Sequence, residues 1–209
     1  MRGGQIGDLA VIRVDHCTAG LPMEQRCVEE HVLHDCGMHY VDVMRWFAKS
    51  EYDRFESRGV DFWGDDYEAY FMAQGRFENG VIFDLHNSHC YASLAEQRRN
   101  NSRQEFIGSH GVVTLTHDFR EVTLRFNGRS STVEKTMPHA AKNLEVYYRA
   151  LAQAIDTGEL GALPRVEDAV VASEVSQRMV DDALTRGLTN FGVERAGVST
   201  NHAATAAAC

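Results

Sequence analysis

Hydrophobic positions recur at helical spacing in one segment near the start of the chain. Between residues 31 and 47 they form an apolar stripe of Cys36, Tyr40, Val43, Met44 and Phe47. A neighbouring stripe at the same spacing contains Asp35, His39, Asp42 and Trp46. Side chains four residues apart lie above one another on a helix. The pattern therefore predicts a buried helix with a carboxylate, an imidazole and a second carboxylate along one edge.

Short apolar or alternating runs before and after this segment predict β-strands. The predicted strands are residues 5–14, 54–62, 67–77, 81–91, 104–108, 112–116, 119–126 and 132–136. Asn79-Gly80 and Asn127-Gly128 lie between strands and are typical of hairpin turns. The strands after the helix are therefore expected to pair mainly as antiparallel neighbours.

Two amphipathic helices are predicted after the strands. The first has an apolar stripe of Leu144, Tyr147, Tyr148, Leu151 and Ile155, and the second repeats Val171, Val175, Met179 and Ala183. This order predicts an α+β fold, an open, mainly antiparallel β-sheet with helices packed on one face. The other face is expected to be open and apolar, and such a face usually finds a partner. Residues 1–190 would form this domain, and residues 191–209 a disordered tail.

The composition and net charge of the chain argue against several classes of binding partner. The chain has 209 residues and a formal net charge of -9, which argues against nucleic acid or an anionic membrane surface as the main partner. No apolar run approaches the roughly 20 residues of a membrane-spanning helix, and no signal peptide opens the chain. The cysteines are scattered without a CxxC pair: Cys17, Cys27, Cys36, Cys90 and Cys209. Their odd number favours free thiols in a reducing cytoplasm.

Asp35 and His39 are the candidate reactive pair, because a carboxylate beside an imidazole raises its basicity and suits it to act as a general base. Two structural alternatives stay open: Asp35 as a helix N-cap, and His39 as a hydrogen-bonded core residue. A metal site for Zn or Mn is a third alternative. Its ligands would be Glu30, His31, His34, Asp35 and His39, and a lyase or isomerase could use them, although their spacing is not His-Glu-x-x-His.

The run Asp35-x-Gly37-x-His39-x-x-Asp42, followed by Arg45-Trp46-Phe47, resembles the substrate-domain motif of the glucose–fructose oxidoreductase/inositol dehydrogenase (Gfo/Idh/MocA) family. The resemblance continues through 75–80, 107–111 and the last two helices, and covers roughly residues 5–187. It implies that His39 accepts a proton from a sugar or cyclitol hydroxyl. It also implies that Asp35 orients His39 or binds the substrate, and that Asp42 binds substrate hydroxyls.

The resemblance implies further substrate contacts at His16, Asn87 and Tyr91. The structural alternatives are a solvated loop histidine at residue 16 and, for the other two, a strand end that emerges into solvent. The family also buries the open sheet face in a homodimer, so a homodimer is expected here.

NAD or NADP is the cofactor that the resemblance implies. The sequence contains no Gly-x-Gly-x-x-Gly after a predicted strand and no Glu-Lys-Pro segment. We therefore expect the substrate-binding portion of a sugar or polyol dehydrogenase without its dinucleotide-binding domain, with no metal, and with a separate Rossmann-domain chain as a further partner. The alternative is a cofactor-free protein that binds a polyol or serves as a partner subunit.

Overall fold

The computed structural model describes residues 5–18, 31–62, 67–90, 96–97, 99–139, 144–161 and 163–191. The strands are β1 (Leu9–Cys17), β2 (Tyr52–Asp61), β3 (Tyr70–Phe77), β4 (Ile82–Ser88), β5 (Asn101–Gly108), β6 (Gly111–His117), β7 (Glu121–Gly128), β8 (Thr132–Pro138) and β9 (Thr189–Asn190). The helices are α1 (Met38–Ala48), α2 (Leu144–Thr157) and α3 (Val166–Arg186), and a π-helical turn, Leu33–Gly37, leads directly into α1. The α+β prediction is confirmed.

The strands form one sheet in the order β8-β7-β6-β5-β1-β4-β3-β2-β9. β1 pairs in parallel with β4, β9 pairs in parallel with β2, and the remaining neighbours are antiparallel. The central position of β1 joins two meanders, β2–β4 on one side and β5–β8 on the other. The end of β1 therefore lies beside the ends of β4 and β5, in the middle of the sheet.

The main core lies between one sheet face and helices α1 and α3. Phe71, Phe77 and Phe83 from the sheet are fully buried there, together with Met44 from α1 and Met179 from α3. The Tyr52 hydroxyl donates a hydrogen bond to the carbonyl oxygen of Val41, 2.9 Å away. This layer fixes α1 across the strands that carry the candidate residues.

The opposite face is mixed rather than uniformly apolar as expected. Arg13, Asp15, Asp84, His86, Arg103 and Glu105 line a cavity of about 400 Å³ on it together with Val14, whereas Ile82, which alternates with Asp84 along β4 on the same face, is 54% exposed. Arg13 lies 3.3 Å from Asp84 and 3.5 Å from Glu105. Alternation along the strands puts large apolar groups on the helix side and these charges on the other.

Apolar side chains are instead exposed on α2 and on the outer strands. Val146, Tyr148 and Ile155 on α2 are exposed, as are Val133 and Met137 on β8. The predicted apolar stripe of α2 therefore exists, but it does not enter the core that the described residues form.

Most strand boundaries differ from their predictions by one to three residues, and two differences are larger or move a turn. β1 begins four residues later than predicted and extends through the polar pair His16-Cys17. The hairpin of β7 and β8 turns at residues 129–131 rather than at Asn127-Gly128, because Asn127 still pairs with Thr132. No disulfide joins Cys17, Cys36 or Cys90, whereas Cys27, Cys209 and the predicted tail from residue 192 onward lie outside the described residues. None of the described helices is long and apolar enough to span a membrane.

Candidate active site

The π-helical turn before α1 is the local feature that positions the candidate residues. The backbone N–H of Met38 donates to the carbonyl oxygen of Leu33, so the turn closes over five residues instead of four. The Asn87 side-chain amide on β4 donates to the carbonyl oxygen of Val32 at 2.6 Å. A Cβ added to Gly37 would lie 2.6 Å from both the Asn87 amide nitrogen and Leu33 Cδ1. The turn therefore lies so close to β4 that a side chain at residue 37 would require Asn87 and Leu33 to shift.

Asp35 forms its acid–imidazole contact with His89, a residue that the sequence analysis did not select. Asp35 Oδ2 lies 3.1 Å from His89 Nε2. His89 follows β4 and is 2% exposed, whereas about half of the Asp35 side chain is accessible. A partly exposed carboxylate held by a buried imidazole can accept a hydrogen bond from a bound hydroxyl group.

No hydrogen bond joins Asp35 to His39 among the described residues, and Asp35 contacts His89 instead. His39 is exposed on the first turn of α1. Its charge nevertheless acts on both His16 and Asp42, so it lies close to them.

The group that could hold a metal ion differs from the predicted one. Ligand atoms of Asp35, Cys36 and His89 lie within 4.8 Å of one another, and His31, His34 and His39 form no such group in the described part of the chain. His31 Nδ1 contacts the carboxylate of Glu68 instead. The geometry therefore does not support the metal site predicted from these three histidines.

Asp42 belongs to an ion-pair network between α1 and α3. It lies 3.9 Å from Arg45, whose guanidinium is 2.7 Å from Glu51 and 2.9 Å from Asp168. These partners raise the pKa of Arg45, while desolvation and the nearby Asp168 carboxylate raise the pKa of Asp42. A substrate contact of Asp42 stays a prediction.

A row of polar residues crosses the centre of the sheet on its helix side. Asn87 on β4 pairs with His16 on β1, His16 with Ser102 on β5, and Ser102 with His117 on β6. The Tyr40 hydroxyl of α1 lies 2.9 Å from His16 Nδ1 and 3.4 Å from Ser102 Oγ. Two members of this row, Ser102 and His117, were not among the predicted site residues.

His16 is 4% exposed, so it is not the solvated loop residue of the structural alternative. Burial, followed by the charge of His117, lowers its pKa from 6.5 to about 4, and the opposing effect of Asp35 is smaller. Asn87 is 0% exposed and supports the π-helical turn. Substrate contacts of both residues stay predictions, and Tyr91 lies outside the described residues.

The sequence of residues 1–114 matches the family model described as the GFO/IDH/MocA C-terminal domain. The chain belongs to the Gfo/Idh/MocA family. No curated protein matches it.

Among solved structures, the chain is similar to an aldose-aldose oxidoreductase from Caulobacter crescentus complexed with glycerol, with a TM-score of 0.69 and 17% identity. It is also similar to a levoglucosan dehydrogenase in complex with NADH, with a TM-score of 0.67 and 16% identity. A super-repressor mutant of Gal80p from Saccharomyces cerevisiae has the same fold, with a TM-score of 0.65 and 13% identity. Each match covers 88% of this chain and 56%, 59% and 58% of the respective relative. The chain thus spans little more than half the length of these relatives.

The Gly37–Asn87 contact can be tested with a double-mutant cycle in this Gfo/Idh/MocA domain. Gly37→Ala should lower the free energy of unfolding by about 1–3 kcal/mol, because the new methyl group overpacks the contact. In a protein that already carries Asn87→Ala, the loss of unfolding free energy caused by Gly37→Ala should be smaller by at least about 0.5 kcal/mol, because the opposing amide is gone. Urea unfolding measures all four proteins. Strictly additive effects would contradict the contact.

The buried, neutral His16 should make the stability of the domain depend on pH. Its pKa is about 6.5 in the unfolded chain and about 4 in the folded one, so the unfolded state binds more protons between these values. Stability is therefore lost as pH falls from about 6.5 towards 4, by roughly 3 kcal/mol from this residue. The free energy of unfolding is measured with urea at a series of pH values. His16→Gln should abolish the part of its pH dependence that comes from this residue, whereas the exposed control His110→Gln should retain it. Equal slopes for the two variants would rule out this role.

Proposed function

We propose that this chain is the substrate-binding portion of an NAD(P)-dependent sugar or cyclitol dehydrogenase. The observation that carries the proposal is the arrangement at the start of α1. Asp35 is anchored by His89, and His39 is exposed. The charges of Asp35 and His39 both act on His16. A partly exposed carboxylate and an exposed imidazole in one region suit a ligand with several neighbouring hydroxyl groups.

His39 is the proposed general base. Oxidation of an alcohol requires loss of the hydroxyl proton, and an exposed imidazole is suited to accept it near neutral pH. Asp35 would bind an adjacent hydroxyl, with its position fixed by His89. Asp42 and Tyr91 stay proposed substrate contacts. His16 and Asn87 were expected to contact substrate too, but their burial favours indirect action, through Tyr40 and through the π-helical turn respectively.

NAD or NADP would accept the hydride in this reaction. The residues of this chain do not fit that cofactor, because the sequence has no Gly-x-Gly-x-x-Gly between a strand and a helix to bind the pyrophosphate. A dinucleotide-binding domain distinct from the one described here would have to hold it, whether in the same polypeptide or in a partner chain. The levoglucosan dehydrogenase relative is a complex with NADH, and the aldose-aldose oxidoreductase relative is a complex with glycerol, which supports this substrate and cofactor class.

A cofactor-free polyol-binding protein or partner subunit is the second candidate. It is favoured by the poor fit of the described residues to a dinucleotide. Titration of NADH into the purified chain, with and without a dinucleotide-binding domain, separates the two candidates. Sugar binding in the absence of any nicotinamide-dependent turnover would favour the second.

The roles of His39 and Asp35 can be tested in the protein together with the dinucleotide-binding domain that the reaction requires. His39→Asn should lower kcat by about 10²–10⁴-fold, because the proton acceptor is lost. Asp35→Asn should raise KM for the sugar and lower kcat/KM. Reduction of NAD⁺ or NADP⁺ with a panel of aldoses and cyclitols is the assay, and His110→Asn is the control on an exposed imidazole. Turnover within about threefold of wild type in both site variants would refute the assignment.

We further propose that the open sheet face forms a homodimer. Because the centre of this face is charged, the interface would be polar and hydrated rather than a hydrophobic core. Light scattering after gel filtration should show a dimer at about 0.05 M salt that weakens at about 0.5 M. Arg13→Glu should weaken it, and Arg149→Glu, on the exposed side of α2, should not. A monomer at both salt concentrations and micromolar protein would exclude this dimer.

A further inference from the structure

An exposed aromatic side chain lies in a strained backbone conformation close to the candidate site. Phe119 occupies the turn between β6 and β7 with φ of 66°. A bulky residue at positive φ is uncommon and costly, and such strain persists only where the surrounding structure enforces it. The side chain is nevertheless 43% exposed, whereas Phe71, Phe77 and Phe83 are fully buried. Burial in the main core therefore does not account for this conformation.

Hydrogen bonds on both sides of Phe119 hold the turn. The Asp118 carboxylate accepts from the backbone N–H groups of Arg120 and Glu121, at 2.8 and 2.9 Å. These bonds lower the pKa of Asp118. The backbone N–H of His139 donates to the carbonyl oxygen of Arg120 at 2.8 Å. The ring is thus presented on a fixed turn.

Three imidazoles surround the inner side of this ring. The Phe119 centroid lies 4.8 Å from that of His117, 5.4 Å from His139 and 6.1 Å from His16. Burial lowers the pKa of His117 and His16, so both rings are uncharged at neutral pH. The phenyl ring therefore packs against a cluster of aromatic rings.

His16 connects this ring cluster to the polar groups of α1. Its ring lies 6.1 Å from that of Phe119 and its Nδ1 lies 2.9 Å from the Tyr40 hydroxyl, and the charges of Asp35 and His39 act on it. One region of the molecule thus combines hydroxyl-binding groups with an exposed aromatic ring. A cyclic sugar has the matching chemistry, with hydroxyl groups around its rim and C–H bonds on its ring faces.

We propose that Phe119 forms the apolar wall of the substrate-binding site and packs against the C–H face of a cyclic sugar or cyclitol. This inference rests on the proposed function and adds a residue that distinguishes cyclic substrates from acyclic ones. Acyclic polyols have no rigid ring face, so the wall selects cyclic substrates over them. Phe119 contributes to substrate binding and takes no part in proton transfer.

The test compares ligands with and without a ring. Dissociation constants for myo-inositol, methyl glucoside and sorbitol are measured by ligand-observed NMR with the purified chain. Phe119→Leu removes the aromatic face but keeps an apolar side chain with a Cβ, so the strain at this position is unchanged. We expect it to weaken binding of the two cyclic ligands about three- to tenfold, in line with aromatic-face contacts, and of sorbitol less than twofold. Phe119→Tyr should stay within about twofold of wild type.

Phe191→Leu is the matched control, because Phe191 is 64% exposed near β9, at the far edge of the sheet. It should bind all three ligands like wild type. If Phe119→Leu binds the cyclic ligands as well as wild type while Asp35→Asn no longer binds them, Phe119 is not the apolar wall of the site. The proposed function would then stay intact. Equal losses for cyclic and acyclic ligands, or a lowered thermal midpoint, would assign Phe119 a structural role. Failure of the wild-type chain to bind any of the ligands would overturn both proposals.

Discussion

The close packing of the π-helical turn against β4 determines where the candidate site lies. The Asn87 amide hydrogen-bonds the carbonyl oxygen of Val32, and Gly37 leaves the room that this approach needs. The turn then places Asp35 next to His89 instead of His39. A side chain at residue 37 would meet the Asn87 amide and Leu33 Cδ1, so these side chains would have to shift. The acid–imidazole geometry is thus a consequence of backbone packing as much as of the two side chains.

The polar groups that are buried beneath this turn are stabilised mainly by hydrogen bonds among them. His16 and Ser102 both lie within reach of the Tyr40 hydroxyl, and Asn87 is bonded to the turn. Buried polar groups without partners would cost about 1–3 kcal/mol each. His117 is an exception, since its buried Nδ1 has no partner in the described part of the chain. Uncharged imidazoles reduce the cost of burial, because a neutral ring needs less solvation than a charged one.

The sequence predicted the elements well because alternation and helical periodicity are local properties. The hairpin at Asn79-Gly80, the two C-terminal helices and the α+β class were all predicted correctly. The first strand was placed four residues too early. His16 and Cys17 resemble a polar loop in sequence, but the neighbouring strands bury them. β9, with two residues, is too short for any periodicity to indicate.

The site was less predictable because its geometry depends on contacts between distant segments. A turn closed over five residues has the same composition as an α-helical turn, and the Val32–Asn87 bond joins residues 55 positions apart. His89 stood in a polar strand end with no spacing relation to Asp35, so only the fold brings the two together. Phe119 carried no signal in the sequence, because its unusual feature is a backbone angle.

The candidate site lies where the helix layer ends. On the β2–β4 side, α1 and α3 cover the sheet and bury its phenylalanines, whereas β7 and β8 expose much of their surface in the described structure. Tyr40 of α1 hydrogen-bonds His16, and the ring of Phe119 neighbours the same histidine. A ligand at this boundary would contact helix-borne polar groups with one edge and an uncovered aromatic ring with its face. The incomplete cover of the sheet is therefore the feature that makes a mixed polar and apolar binding surface available.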